Sequence, residues 1–367
     1  LILCENFIKS SYQLIAWMPD SSGPFFGGRW SMILEMIRLG FKFVLVTFMA
    51  AAGVSRLSHS NQESSAHTAR SSIDVARYQN SWFVAMDMVD DQTGFLISRE
   101  GFILRTTDGG RTWPEQVSPN PREPNWLRDI TAVSSEITWV VGNRGLIHRT
   151  SDGGKTWEDQ SLANAGDFLA VHALDSNHVV AAGADGLIYR TIDAGKSWIR
   201  ESANIIDNIY DVELIDQNIT LAVTGRGRII RTDDAGKTWR ITAHYDFKTL
   251  HSIARGGNNV LIAVGEKGLM VKSSDKGQSW QQLSSPYCRM LLTVEAIDDR
   301  QFWAAGADGI VIHSTDGGST WKVKTTGVDH FLYSINVSRG GNLFAVGGNG
   351  CLISSLDAGS TWANAFK

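Results

Sequence analysis

Cysteine is nearly absent. The three present (Cys4, Cys288 and Cys351) are odd in number, with no CxxC and no paired spacing, which leaves no disulfide framework and no cysteine metal site. Proline is scarce too, seven in 367 residues, and four of those fall within the single stretch 114–126. Positive charge is not in excess: 34 Lys and Arg stand against 38 Asp and Glu, a net charge of −4, which excludes the basic balance of a nucleic-acid binder. The nine histidines form no HxH or HExxH, and the chain has no GxSxG, no Walker A and no GxGxxG opening a helix. Gly225-Arg226-Gly227 is only a strand-to-strand turn. From residue 73 onward no stretch of ten residues carries a 3.6-residue apolar period, which rules out a helical solenoid.

Long apolar runs are confined to one, Phe43–Val54. As a helix its twelve residues reach roughly 18 Å, short of a hydrocarbon core of about 30 Å. Arg38 and Lys42 precede it and Ala50-Ala51-Ala52 offers an A-x-A cleavage site, so residues 36–54 read as a signal peptide, with a short anchor as the alternative. Residues 1–35 read as an upstream leader or a mis-assigned start, and the Ser-rich stretch 55–72 as a polar linker. The expected location is outside the cytoplasm: the periplasm, or the thylakoid lumen in a phototroph.

Glycine and tryptophan are plentiful, 36 and 13, and a repeat explains why. TTDGGRTW ends at Trp113, TSDGGKTW at Trp157, TIDAGKSW at Trp198 and TDDAGKTW at Trp239; SSDKGQSW, STDGGSTW and SLDAGSTW follow at Trp280, Trp321 and Trp362. The spacing is 44 once and then 41 five times. Twelve residues before every one of these tryptophans stands a glycine, from Gly101 to Gly350, preceded by short apolar runs such as LIAVG and FLAVHAL. Each unit reads as four short strands, and a period of 40–45 with four strands is the signature of a propeller blade. The fold class is therefore all-β: a seven-bladed β-propeller over 73–367.

The box has a mechanical reading. Its aspartate (Asp108, Asp152, Asp193, Asp234, Asp275, Asp316, Asp357) should accept backbone N–H bonds in the turn between the third and fourth strands. The glycine two residues on supplies a positive φ, and the tryptophan fills the space between blades. The proline-rich stretch 114–126, with three extra residues, is the one departure from the period and a natural binding element on a rigid frame, or simply a tolerated surface insertion. Residues 73–79 (IDVARYQ) are placed to latch the ring beside the short last strand of blade seven.

Seven register-locked Asp-boxes resemble the BNR, or Asp-box, propellers, and the uniform 41-residue blade is similar to the photosystem II stability and assembly factor family. The resemblance implies a non-enzymatic lumenal scaffold that assists assembly of a membrane complex. The export segment departs from the twin-arginine signal common in that family, since Arg38 and Lys42 stand well apart.

Two register positions carry candidate function. Eight residues before each box tryptophan stand Arg105, Arg149, Arg190, Arg231, Lys272, His313 and Ser354, which rotation of the blades would turn into a basic arc on one rim, with Arg228 added. Such an arc would dock a carboxylate-bearing partner, or each cation would pair with an acid or stack on a neighbouring ring. Twenty-six residues before the tryptophans stand Asp87, Thr131, His172, Glu213, Ala254, Glu295 and Asn336, facing the channel. Asp87, Glu213 and Glu295 would hold a cation or polar ligand there, or simply line a wet channel; they are too dispersed for an ordinary coordination shell. Sialidases share Asp-boxes, but the chain has no Arg-Ile-Pro element, and glycoside hydrolysis needs two carboxyl groups at a defined separation.

The expectation is a monomeric scaffold with no catalytic residue, cofactor, metal or nucleic acid, whose partner is a membrane protein or an assembly intermediate of a membrane complex. The rival is a glycan-binding or sialidase-like propeller. Exposed aromatics beside two close carboxylates at the channel mouth would favour the rival, and a clean basic arc the scaffold.

Overall fold

The computed structural model describes residues 78, 80–116, 126–257 and 259–365. The segments read as leader, signal peptide and linker, most of the insertion at 114–126 and most of the proposed latch lie outside them. Among the described residues no helix is long and apolar enough to cross a membrane.

The described chain is a ring of seven antiparallel blades, each a meander running outward from the channel. Their innermost strands are Phe83–Met88, Leu127–Ala132, Phe168–Ala173, Ile209–Leu214, Leu250–Gly256, Leu291–Ala296 and Leu332–Val337. Blade four is typical: Thr220–Thr224 pairs with the inner strand, Arg228–Thr232 with that, and Arg240–His244 forms the outer edge. Second strands such as Thr138–Gly142 and Leu343–Gly347 are buried at every residue, as expected for strands covered on both faces. Blade one has three strands, with an isolated Leu104–Glu115 bridge where its fourth would lie.

The Asp-boxes perform as their chemistry requires. In the first, Asp108 Oδ1 accepts the Thr112 N–H at 2.9 Å and Oδ2 the Thr112 hydroxyl at 2.7 Å, while Thr106 Oγ1 accepts the Gly110 N–H at 2.8 Å. The pattern recurs at Asp152, Asp193, Asp234, Asp275, Asp316 and Asp357. The second box glycine takes a positive φ throughout, 79° at Gly110 and 82° at Gly195. So does the residue before it, which is Ala194, Ala235, Lys276 and Ala358 in four blades, at φ of 54–62°. The turn thus needs two successive left-handed residues, and only one is reliably glycine.

The box tryptophans fill the joints between blades. Trp113 is fully buried and meets Phe344 of blade seven edge-on at 6.5 Å. Trp239 donates its indole N–H to Glu201 of blade three at 3.1 Å.

A second set of joints surrounds the channel. At each of the seven junctions a side chain on one inner strand accepts a backbone N–H from the next. Asp87 accepts from Ala132, Asp129 from Val171, His172 from Leu214 and Asp211 from Ile253, at 2.8–3.2 Å. Ser252 accepts from Val294, Thr293 from Ile335 and Asn336 from Met88, at 3.0–3.4 Å. The last of these closes the ring between blades seven and one. Blade seven draws all four of its strands from 332–364, so closure rests on such contacts and on Tyr78, which is buried among Phe83, Trp113, Phe344 and Leu352.

Candidate functional site

The positions read as a basic arc lie along the third strands, near their Asp-box ends, and point into the joints between blades. Arg190 is 5% exposed; its Nε meets Glu201 Oε1 at 2.5 Å and its Nη2 meets Thr220 of the next blade at 3.0 Å. Arg231 is 3% exposed, bonded to the Lys276 carbonyl of the next blade and to Asp233. Arg105 reaches the Ser135 carbonyl at 3.2 Å, and Arg149 lies 5.1 Å above the Trp139 ring, 3.9 Å from Glu158. Lys272 is half-buried beside the box of blade six, and His313 stacks on Trp303 at 3.7 Å. Arg105, Arg190, Arg231 and Lys272 thus reach from one blade to the next, whereas Arg149 and His313 contact their own blade, and enclosure removes Arg190 and Arg231 from any partner. Arg228 belongs to neither the arc nor its face: it sits at the other end of the strand and bonds buried Asp207 at 2.6 Å.

The channel acids are also accounted for. Asp87 accepts the Ala132 N–H; Glu213 lies 3.3 Å from Arg255 and 3.8 Å from His172. Burial raises Asp87 to about 6 and Glu213 to about 7, Arg255 offsetting part of the latter, and holds Glu295 well above the usual carboxylate range, reinforced by Asp87 and Glu213. His172 is pushed down to about 4 by burial, in keeping with an Nδ1 that accepts the Leu214 N–H. Among the described residues no three His, Cys, Asp or Glu side chains are grouped to hold a metal ion.

The side chains not engaged in joints gather at the opposite face, where the chain enters each inner strand. Thirty-one residues before the box tryptophan stand Trp82, Trp126 and Phe331 in blades one, two and seven, against Asp167, Asn208, Thr249 and Met290 elsewhere. Two residues further on, the ring reads Val84, Arg128, Leu169, Tyr210, His251, Leu292 and Tyr333. Adjacent blades therefore bring the bulky aromatics together. Trp82 stacks on Tyr333 at 6.0 Å, Tyr333 on Phe331 at 6.2 Å, and Tyr210 meets His251 at 5.4 Å. Trp82 and Trp126 remain 41% and 40% exposed.

Into this cluster project two guanidinium groups. Arg99 lies 4.0 Å above Trp126 and 5.7 Å from Trp82, and Arg128 lies 5.6 Å from Trp126. Arg128 donates to Asn143 at 3.0 Å, but neither arginine has a carboxylate partner among the described residues. Burial and then the like charge of Arg99 lower the pKa of Arg128. Arg99, Arg128, Trp82 and Tyr333 rim a depression of about 310 Å³ whose floor holds Asp129 and Asp211. Both floor carboxylates already accept two backbone N–H bonds, one of them from the next blade. Ile206 and Phe247, at one shared register position, add exposed apolar surface to the loops of this face.

This mouth was not singled out from sequence. Its signal was available at the two register positions just named, where aromatic residues cluster in adjacent blades; Arg99 alone carried no repeat signal.

A family model described as photosynthesis system II assembly factor YCF48 matches residues 63–338. Among solved structures, one of YCF48 bound to a D1 peptide is similar at 22% identity, with 74% of this chain and 92% of that one covered and a TM-score of 0.63. YCF48 from Cyanidioschyzon merolae is similar at 22% identity, over 75% of this chain and 95% of that one, also with a TM-score of 0.63. A GH74 xyloglucanase from Xanthomonas campestris shares the fold at 11% identity, covering 78% of this chain and 55% of that one, with a TM-score of 0.65. No curated protein matches by sequence.

Proposed function

The chain belongs to the photosynthesis system II assembly factor YCF48 family, and on that premise we propose that it is a non-catalytic scaffold that docks a carboxylate-bearing segment of a photosystem II membrane subunit across the channel mouth. The observation that carries this is the pair Arg99 and Arg128: two guanidinium groups in an aromatic cage, with no ion pair to a carboxylate among the described residues. Buried or half-buried cations are ordinarily paired within the protein. Left unpaired and facing solvent at a concave mouth, they offer bidentate bonds to a carboxylate, while Trp82, Trp126 and Tyr333 offer flat apolar area for the peptide beside it. The similar structure of YCF48 bound to a D1 peptide supports a peptide of a photosystem II subunit as the partner.

The test is a titration of the protein with a labelled synthetic peptide from the exposed end of a D1 subunit, read by fluorescence anisotropy at low and moderate salt. Arg99→Glu with Arg128→Glu is expected to weaken binding at least tenfold in a protein that still folds, with only a small drop in melting temperature. Unchanged binding in the folded double variant would sink the proposal.

The glycan reading has one observation in its favour: the mouth holds exposed tryptophans above two carboxylates. Against it, Asp129 and Asp211 perform the joint that Ser252, Thr293 and Asn336 perform in other blades, so their carboxylates answer a structural need. Quenching of tryptophan fluorescence by a xyloglucan oligosaccharide, with none by the peptide, would reverse the order of the two readings.

A further inference from the structure

The repeat makes seven joints, and one of them is incomplete. From blades one, three, four and five the register position eight before the box tryptophan sends Arg105, Arg190, Arg231 or Lys272 across to the next blade; between blades seven and one that position is Ser354. The frame around the side chain is otherwise preserved. A Cβ on Gly153, the first box glycine of blade two, would lie 3.0 Å from the Ser135 carbonyl and 3.1 Å from Arg105 Nη2. On Gly317 of blade six it would lie 3.0 Å from the Asp299 carbonyl and 3.3 Å from Lys272 Nζ. On Gly109 of blade one it would lie 2.9 Å from the Asp91 carbonyl, with the Gln92 side chain at 3.7 Å where a cation stands in the other two. The supporting backbone bond is likewise kept, Gly109 N–H to the Gln92 carbonyl at 2.9 Å against Gly153 N–H to Glu136 at 3.0 Å.

At this seam a cavity of about 370 Å³ is lined by Asp91, Asn342, Ser354, Leu356 and the first Asp-box turn. Its acceptors are the Asp91 carbonyl, which corresponds to the Ser135 carbonyl that Arg105 uses, and the Asp91 carboxylate, one oxygen of which accepts the Gly340 N–H. Asp108 is engaged within its own turn. Leu356 and Ala365 supply an apolar wall of the kind on which an arginine stem lies. Arg111 stands at the wall as well, but Lys155 holds the same box position in blade two, whose box Arg105 reaches, so a cation there coexists with a guanidinium in the joint.

We propose that this seam is a binding site for a guanidinium group, supplied in nature by an arginine side chain of a partner polypeptide. The other joints show the mode: the fork reaches from one blade to a carbonyl or hydroxyl of the next, as Arg105, Arg190 and Arg231 do. The site lies on the Asp-box face, away from the aromatic mouth, and does not depend on the docking reading.

The test uses L-argininamide, a guanidinium without a carboxylate, titrated into the folded protein and followed by calorimetry and by the melting temperature. Saturable binding with a Kd on the order of 1 mM is expected. Ser354→Arg should abolish it and raise the melting temperature, since the protein then fills its own joint. Asp91→Asn, which keeps an oxygen for the Gly340 N–H, should weaken binding at least fivefold while leaving the fold intact. No saturable binding by the wild-type protein, or equal binding by wild type and Ser354→Arg, overturns the proposal.

Discussion

The two faces of the ring are made from one repeat, yet they differ in what their polar groups are doing. On the Asp-box face each of the seven carboxylates takes hydrogen bonds from its own turn, and side-chain bonds of this kind draw Asp152, Asp193, Asp234, Asp316 and Asp357 down to about 2. At the mouth the register positions diverge from blade to blade, and Arg99 and Arg128 form no ion pair among the described residues, although Asp167 is near enough to act on Arg128. A residue type repeated seven times answers a need shared by seven blades, which is mechanical. A residue type confined to adjacent blades breaks the symmetry of the ring, and a partner that approaches from one side requires that.

The sharpest way to break this contrast is to remove one arginine from each class. Arg190→Ala leaves the Glu201 carboxylate buried without its counter-charge, with only the Trp239 indole N–H beside it, a loss of about 3–5 kcal/mol for breaking a buried pair. Arg99→Ala removes only cation–π contact at a half-exposed site, about 0.5–1 kcal/mol. Urea unfolding of the two variants should separate them clearly. Equal losses would mean that Arg99 is another joint and that the mouth is structural as well.

The channel offers a test of intermediate size. Glu213 titrates near 7 in the folded protein against an ordinary glutamate value of 4.5, because burial disfavours its charge by more than Arg255 restores. A raised carboxyl pKa means that the folded state holds its proton longer than the unfolded chain. The associated stability is present below pH 4.5 and is lost as pH rises toward 7. Asp87, Asp211 and Glu295, raised by the same burial, add to the slope, while His172, held down to about 4 against an ordinary 6.5, opposes it between those two values. The Asp-box carboxylates act oppositely, their contribution fading only as pH falls from 4 toward 2. Glu213→Gln should therefore flatten the melting temperature between pH 4.5 and 7 and leave the acid limb alone. A variant that melts with the wild-type slope would place the titration elsewhere.

Much of this architecture was legible in the residues. Seven boxes in register give seven blades, and the aspartates, glycines and tryptophans do what their chemistry requires. The arginine positions were legible too, but their direction was not. Position eight before the tryptophan lies on a strand whose faces both meet neighbouring blades, so a repeated cation there is drawn into a joint, and only packing reveals it. Arg228 was grouped with Arg231 by nearness in sequence, whereas the rise of a strand carries three residues about 10 Å along, to the other face. The mouth was hidden for the opposite reason. Trp82 and Trp126 share one register position and Tyr333 belongs to another, and the three come together only because blades seven, one and two close into a ring.

The smallest effect concerns a feature common to every box. The residue after the box aspartate is left-handed in all seven turns, and in blade three it is Ala194 at φ 62°. An L-residue pays roughly 1–2 kcal/mol there, whereas glycine enters freely. Glycine also gives the unfolded chain more freedom, which returns about 0.4–1 kcal/mol of that gain. Ala194→Gly should then stabilise the protein by about 0.5 kcal/mol, and Ala235→Gly and Ala358→Gly, at 58° and 54°, by similar amounts. Combined, the three should raise the melting temperature without touching peptide binding at the mouth, because each turn is closed on itself by its own aspartate. A triple variant that melts lower would mean that the alanine methyls pack usefully between blades, and that even the repeated face makes contacts its turn geometry does not reveal.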